Sequence, residues 1–361
     1  MLLEKIIIKN FRNIENLELV FGKNLNFLCG SNAQGKTNLL EAIYLCCVGK
    51  SPFHKDNDLI KHNEEDAYIK LFGSRQDGNF IIEVFVSKND KKKIYLNGLV
   101  VNKLSEILGH LNAIYFSPDS LKLIKEAPAD RRRFLDIDLS QLYKAYCASL
   151  LRYNKILLQR NNLLKTSSKS AISDVLSVWD SQLIKEGCFL IEKRKSFIEN
   201  LLPYVKKVHR FLTSENEEIE VSYKTDVDLN NIKDSYERIL HENLNKDYLL
   251  KYTSIGPHRD DVKITLNNVD VKNFASQGQQ RTAALSLKLA EINYFYDITD
   301  EYPLLLLDDV LSELDFDRQQ KLIELSGVSQ CLITTTSIQE SFLNNLNYRV
   351  FNVENGVFNK V

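Results

Sequence analysis

What the chain lacks narrows the field first. It has no surplus of charge of either sign: 47 lysines and arginines stand against 48 aspartates and glutamates in 361 residues, a formal net charge of −1. Such a balance gives no electrostatic case for nucleic acid over the whole surface, so any polyanionic partner has to meet a local patch. There is no C-x-x-C pair. The six cysteines, Cys29, Cys46, Cys47, Cys147, Cys188 and Cys331, are scattered and mostly in apolar surroundings. That pattern argues against a disulfide framework and against a cysteine metal site, and reads as reduced core thiols. No apolar run nears the ~20 residues of a membrane span. The start, Met1-Leu2-Leu3-Glu4-Lys5, leads into a strand pattern rather than a signal peptide. Internal repeats and low-complexity tails are absent too. The expectation is a soluble, cytoplasmic protein with no membrane partner. What remains is ordinary globular composition, 44% hydrophobic and 26% charged, enough for a sizeable core in two lobes.

Against that plain background one stretch stands out. Gly30-Ser31-Asn32-Ala33-Gln34-Gly35-Lys36-Thr37 reads G-x-x-x-x-G-K-[ST], a P-loop. The apolar run Leu25-Asn26-Phe27-Leu28-Cys29 precedes it as a buried strand, and Asn38-Leu39-Leu40-Glu41-Ala42-Ile43 follows as the start of a helix. The motif requires that strand–loop–helix context. Glycines let the loop wrap a phosphate closely, and backbone N–H groups at the helix N-terminus face the negative charge. Lys36 is expected to reach the β- and γ-phosphates and Thr37 to hold Mg²⁺. In the helix, Leu39, Leu40, Ile43, Tyr44 and Cys47 predict one core-facing stripe.

The rest of the chain sorts into three patterns. Residues 6–19 predict two strands with a turn, residues 66–100 an antiparallel meander, and Leu111–Phe116 a strand ending at Ser117-Pro118-Asp119. From about 120 to 215 the period becomes helical, through Leu139, Leu142, Tyr146, Leu150, Tyr153 and Leu157, then Leu176, Leu183, Leu190 and Phe197, with the polar stretch Lys165–Ser170 as the join. That predicts a helical hairpin, too short for a coiled-coil rod. Strands return at Ile219–Tyr223 and Val262–Leu266.

A second half of the phosphate machinery lies far downstream. Leu304-Leu305-Leu306-Leu307-Asp308-Asp309 is a continuous apolar run ending in two acids, the signature of a strand buried on both faces with a carboxylate at its C-terminal edge. This is a Walker B pattern. Asp308 is placed to hold Mg²⁺ with Thr37, and Asp309 to orient or deprotonate a water attacking the γ-phosphate. Upstream, Ser276-Gln277-Gly278-Gln279-Gln280-Arg281 opens another helix, a second phosphate-sensing end. Downstream, Ser312-Glu313-Leu314-Asp315 resembles a D-loop, and Cys331–Thr336 is a strand ending at the active edge.

Walker A, a serine-led signature, Walker B and an S-x-L-D loop, in that order, resemble the ABC-type ATPase class that includes SMC proteins. Phe11-Arg12-Asn13 also fits these repair-type heads, and Phe116-Ser117-Pro118-Asp119, Pro128–Asp136, Gly256-Pro257-His258-Arg259-Asp260-Asp261 and the S-Q-G-Q-Q-R signature at Ser276 are similar to the RecF family. The separation of 271 positions between Thr37 and Asp308 leaves room for a compact lobe and none for an SMC rod. The resemblance implies an α/β fold, an ABC-type P-loop ATPase head built as a mixed sheet around the P-loop helix, with a second, mainly helical lobe inserted between Walker A and Walker B. The expected bounds are 1–124 and 298–361 for the first lobe and 125–297 for the second, with a helical arm over about 130–215 and the signature at 276–281.

The same resemblance implies an ATP-dependent DNA-binding protein of recombinational repair, DNA replication and replication-fork maintenance. Two copies would sandwich ATP, Walker A from one and Ser276 from the other. DNA would be double-stranded near single-strand gaps or junctions, hydrolysis would be slow, and RecR and RecO would be partners in recombinase loading. ATP and Mg²⁺ are the implied cofactors. Residues 30–37, Arg12, Asn13, Ser276 in trans and Gly278 form the implied nucleotide set, Thr37 and Asp308 the metal set, and Lys36 and Asp309 the catalytic pair. The sequence departs from the wider ABC pattern at three places. Asp309 stands where the catalytic Glu is usual, Ser117-Pro118-Asp119 occupies the Q-loop position, and Thr334-Thr335-Thr336 replaces the switch His. Alternatives are a P-loop kinase or metabolic ATPase acting on a small molecule, which would need neither signature nor D-loop, and a transporter ATPase subunit, against which the Walker spacing argues.

The basic runs are less telling. Lys91-Lys92-Lys93 reads as a solvated hairpin turn. Arg131-Arg132-Arg133 cannot share one helical face, so one of them is expected to pair with Asp130 or Asp136. His258-Arg259-Asp260-Asp261 reads as a hydrogen-bonded lobe junction rather than a metal site.

Overall fold

The computed structural model describes residues 1–166, 169–213, 217–338 and 347–361, with the backbone alone over 169–175. The join expected at Lys165–Ser170 falls partly outside the described residues. The chain divides into two compact units. One comprises Met1–Leu121, Lys207–Asn216 and Arg281–Val361, and the other Lys122–Lys206 and Glu217–Gln280. Lys207–Asn216 and residues 281–297, assigned from sequence to the second lobe, fall in the first unit, and residues 122–124, assigned to the first lobe, fall in the second.

The first unit holds two six-stranded sheets. One is the expected meander, antiparallel throughout: β1 (Leu2–Phe11), β2 (Ile14–Val20), β4 (Asp66–Arg75), β5 (Gly78–Ser87), β6 (Lys93–Leu96) and β7 (Leu99–Val100), ordered β2-β1-β4-β5-β6-β7. In β4, buried Ala67, Ile69 and Leu71 alternate with half-buried Tyr68, Lys70 and Phe72, because one face packs inward. The other sheet runs β15-β14-β3-β13-β12-β8. Here β3 (Leu25–Cys29), β8 (Ala113–Phe116), β12 (Leu304–Leu307) and β13 (Cys331–Thr335) are buried at every position and pair in parallel. β14 (Tyr348–Glu354) adds in parallel to β3 and turns back as β15 (Val357–Lys360).

The P-loop helix, Lys36–Val48, contacts strands of both sheets. This corrects the single stripe expected from sequence. Packed against both sheets, the helix is buried nearly all round, Glu41 included.

The second unit is mainly helical: Pro128–Leu142, Lys144–Thr166, most of Lys169–Thr213, Ile232–Glu242 and Leu244–Leu250. A three-stranded antiparallel sheet, β11-β10-β9, completes it, with β9 at Ile219–Lys224, β10 at Asp261–Leu266 and β11 at Val269–Asp270. Its core is polar. Arg160, fully buried, donates to Asp180 at 2.6 Å, Asp247 at 2.7 Å and Thr253 at 2.9 Å. Arg194 donates to Asp136 at 2.7 Å and to the Pro257 carbonyl at 2.5 Å. Arg131 forks onto Asp261 at 2.6 and 3.0 Å, and Arg132 donates to the Asp260 carbonyl at 2.8 Å. His258 bonds the Tyr153 hydroxyl at 2.7 Å and the Thr253 carbonyl at 3.0 Å. The partner of Arg131 is therefore Asp261, distant in sequence, rather than a neighbour on its own helix. The hydrogen bonds of His258 stay within this unit, and no His/Cys/Asp/Glu group fit to hold a metal occurs among the described residues.

All six cysteines are free, five of them buried. No helix among the described residues is long and apolar enough to cross a membrane. Lys92 pairs with Asp56 at 2.7 Å, and Lys93 lies 3.6 Å from Asp90, on the turn between β5 and β6.

Candidate nucleotide site

The site sits at the C-terminal edge of the parallel strands, where α/β sheets place ligands. β3 leads into the P-loop, β12 delivers Asp308 and Asp309, and β13 delivers Thr334. Parallel register brings them level: Leu307 pairs with Ile333, and Cys29 with Thr335. A cavity of about 240 Å³ results, lined by residues 32–38 with Asp308, Asp309 and Thr334. The second unit has a larger cavity, about 610 Å³, in which Arg131 and Asp261 pair with each other and no phosphate-binding motif takes part. Convergent chemistry, not volume, marks the site.

Asp308 is its hub. Oδ1 accepts from the Thr37 hydroxyl at 2.9 Å and from the Thr334 hydroxyl at 2.8 Å. Oδ2 accepts from the Tyr115 hydroxyl at 2.8 Å. Thr334 Oγ1 also accepts from the Asp309 N–H at 2.8 Å. Asp309 itself has φ 52°, a left-handed conformation that Asp tolerates better than most residues. Ser312 of the S-x-L-D segment donates to the Asp309 carbonyl at 2.9 Å. The donor set suits a hard divalent cation, since a hydroxyl and a carboxylate, both oxygen ligands, converge at one end of the cavity.

Lys36 is buried and donates to the carbonyls of Gly30 and of Ser31, the latter at 2.9 Å. Burial lowers its pKa, and the carboxylates of Asp309 and Asp308 oppose that shift. Gly30 is required sterically, because a Cβ there would stand 2.2 Å from the Val353 carbonyl oxygen of β14. Arg12 and Asn13 stand outside the cavity lining. Arg12 donates to the Asp58 carbonyl at 2.7 Å. Asn13 accepts from Asn38 of the P-loop helix at 2.8 Å, and its side chain lies close against Gly35.

Two contributors escaped sequence reasoning. Tyr115 lies in a strand that reads only as apolar. The other is the β14–β15 turn: the Asn355 N–H donates to Gln34 Oε1 at 2.6 Å, and the Gly356 N–H to the Gln34 carbonyl at 2.9 Å. Asn355 and Gly356 both have positive φ, 50° and 79°, as a type I′ hairpin turn requires. The Asn-Gly pair is a legible hairpin signal, but nothing local says that the turn docks on the P-loop.

Ser276 lies in the second unit and is exposed, as is Gly278. Ser276 accepts from the Gln279 N–H at 3.3 Å while the Gln279 side chain accepts from the Ser276 N–H at 2.9 Å, a reciprocal capping box at the start of helix Gln277–Thr299. In the first unit, Arg281 pairs with Glu313 of the S-x-L-D segment at 3.0 Å.

Comparison with known proteins places these features in a family. A profile described as "RecF/RecN/SMC N terminal domain" matches residues 2–359. A protein of Clostridium perfringens named "DNA replication and repair protein RecF" is 44% identical over 360 residues, covering 99% of each chain. The chain belongs to the RecF family. A RecF of Clostridium novyi is 42% identical over 364 residues, covering 100% of both chains. Among solved structures, that of the recombination mediator protein RecF with ATP in the RecFOR pathway has a TM-score of 0.91 at 35% identity, covering 99% of this chain and 97% of that one. An Smc head bound to the C-terminal winged-helix domain of ScpA, at 18% identity and a TM-score of 0.58 over 100% of this chain and 97% of that one, shares the fold alone. This RecF-family chain therefore has the α/β ABC-type ATPase head fold that its motif order implied.

Proposed function

We propose that this chain is an ATP-dependent DNA-binding protein of recombinational DNA repair, an ATPase that works as a switch rather than a turnover enzyme. The observation that carries the reading is the split of phosphate-directed chemistry. Lys36, Thr37, Asp308 and Asp309 converge at one cavity, while Ser276 caps an exposed helix start in the other unit. The P-loop backbone and Lys36 bind the β- and γ-phosphates. Thr37 and Asp308 hold Mg²⁺, which when bound neutralises charge on the phosphate oxygens. Asp309 orients the attacking water, and its short side chain accounts for slow hydrolysis. Thr334 takes the place of a switch histidine by tying Asp308 to Asp309.

In this reading Ser276 and Gly278 of a second copy cover the γ-phosphate, so ATP joins two copies and hydrolysis releases them. Double-stranded DNA near a gap or junction binds the dimer, and RecR and RecO act with it in recombinase loading; the similar RecF structures, described as belonging to the RecFOR pathway, support the partnership. Phosphate contacts make that DNA affinity fall steeply with salt. The test is gel filtration at micromolar protein with and without ATP and Mg²⁺. A shift from monomer to dimer that Ser276→Arg abolishes supports the reading. A wild-type monomer at saturating ATP sinks it and favours a small-molecule kinase or metabolic ATPase.

A further inference from the structure

We infer that Tyr115 is a positioning residue for the carboxylate of Asp308, holding it in the orientation from which it ligates the metal. The inference rests on the nucleotide reading above and extends it to a residue outside every motif.

The geometry begins with the backbone. β8 and β12 are parallel neighbours, with Tyr115 opposite Leu306 and Phe116 opposite Leu307. The Asp308 N–H then donates to the Phe116 carbonyl at 2.8 Å, so the aspartate leaves the sheet directly beside the end of β8. Its two carboxylate oxygens divide their partners. Oδ1 faces the hydroxyls of Thr37 and Thr334, whereas Oδ2 accepts from Tyr115 at 2.8 Å. Rotation about the Cβ–Cγ bond would carry both oxygens off their partners, so the two hydroxyls on Oδ1 resist it and Tyr115 adds the restraint at the Oδ2 end.

The tyrosine is itself well held. It is 8% exposed, and its ring packs edge-on against Tyr44 of the P-loop helix at 5.4 Å and against Phe53 at 5.5 Å. A phenol hydroxyl carries its proton at neutral pH, and beside a carboxylate oxygen it is the donor. Hydrogen bonds to ligating carboxylates orient them, and removing such a partner typically costs 10–100-fold in metal affinity or activity. Phenylalanine would keep the ring contacts and lose only the donor.

The experiment titrates Mg²⁺ into full-length protein with a fluorescent ATP analogue and reads nucleotide affinity with metal and in EDTA, alongside a melting curve. For Tyr115→Phe the Mg²⁺ concentration giving half-maximal binding should rise about tenfold. Affinity in EDTA should stay within about twofold, because the P-loop is untouched. Phe53→Ala, which loses ring packing and keeps the hydroxyl, should leave the Mg²⁺ requirement unchanged. The ratio of affinities with and without metal is immune to any common loss of folded protein. A Tyr115→Phe protein with the wild-type Mg²⁺ requirement, or with equal losses in Mg²⁺ and EDTA, overturns the inference. Failure of the wild type to bind the analogue in Mg²⁺ overturns instead the nucleotide reading on which it stands.

Discussion

Gly356→Ala is a demanding test of how the P-loop is held, because it adds one methyl far from the motif in sequence. Gly356 has φ 79°, and a Cβ there would lie 2.6 Å from the Asn13 carbonyl oxygen and 3.2 Å from the Asn13 carbonyl carbon. Both are backbone atoms, so no side chain can rotate away. The left-handed conformation costs an L-residue about 1–2 kcal/mol. Relieving the contact means shifting the turn, which weakens the Gly356 and Asn355 N–H bonds to Gln34, each about 1 kcal/mol net. The total is roughly 2–4 kcal/mol. If the turn lifts off while the unit stays folded, the cost appears as a less ordered P-loop. At 1.4 kcal/mol per tenfold, about 3 kcal/mol is a loss of about 150-fold in nucleotide affinity. The assay is a titration with a fluorescent ATP analogue in Mg²⁺, paired with melting curves. Gln34→Ala removes one acceptor only and should cost about 1 kcal/mol. Gly356→Asn tolerates the positive φ yet still carries a Cβ, so it should remain impaired. Wild-type affinity and melting temperature in Gly356→Ala would refute the argument that the hairpin turn positions the loop.

Other outcomes follow from the same geometry. Arg160→Met leaves Asp247 and Asp180 as uncompensated carboxylates, Asp247 fully buried, and should destabilise the second unit by about 3–5 kcal/mol in urea denaturation. His258, whose pKa burial lowers from 6.5 to about 4, binds its proton later than in the unfolded chain. Its contribution is complete above about pH 6.5 and is lost as pH falls toward 4, by up to roughly 3 kcal/mol. Asp260, raised from 3.8 to about 6 by burial, titrates in the opposite sense and gains stability as pH drops through 6. Denaturation of His258→Gln from pH 7.5 to 4.5 should show the penalty of the substitution shrinking with acidity; a constant penalty would contradict the assignment. Asp309→Asn should bind nucleotide within about threefold of wild type but slow single-turnover hydrolysis by about a hundredfold. Normal hydrolysis would remove Asp309 from the role of water-orienting group.

Much of the first unit could be read along the chain because its signals are local. The G-x-x-x-x-G-K-T stretch carries its own loop and helix, and the four leucines before Asp308 need only a strand buried on both faces to make sense. Alternation fixed the meander, since a half-buried sheet repeats every two residues. The P-loop helix was legible as a helix but not as a helix between two sheets. Periodicity reports which side is apolar and cannot register that Glu41 on the other side is buried as well, bonded to Ser51 and His54. In the second unit the helices were visible and the ion pairs were not, because Arg131 and Asp261 are separated by 130 positions.

The sequence by itself therefore determined the chemistry: a phosphate-binding loop, a metal-suited Thr–Asp pair, and a second polar helix start. Tertiary structure alone decided how that chemistry is oriented. Tyr115 fixes one oxygen of Asp308, Thr334 links Asp308 to Asp309, and the Asn355-Gly356 turn backs Gln34. Each of these acts on a residue distant in the chain, through hydrogen bonds whose partners are chosen by strand order and register. No local propensity encodes that order. It follows from packing two sheets around one buried helix, where each backbone polar group at the sheet's edge has to find a partner.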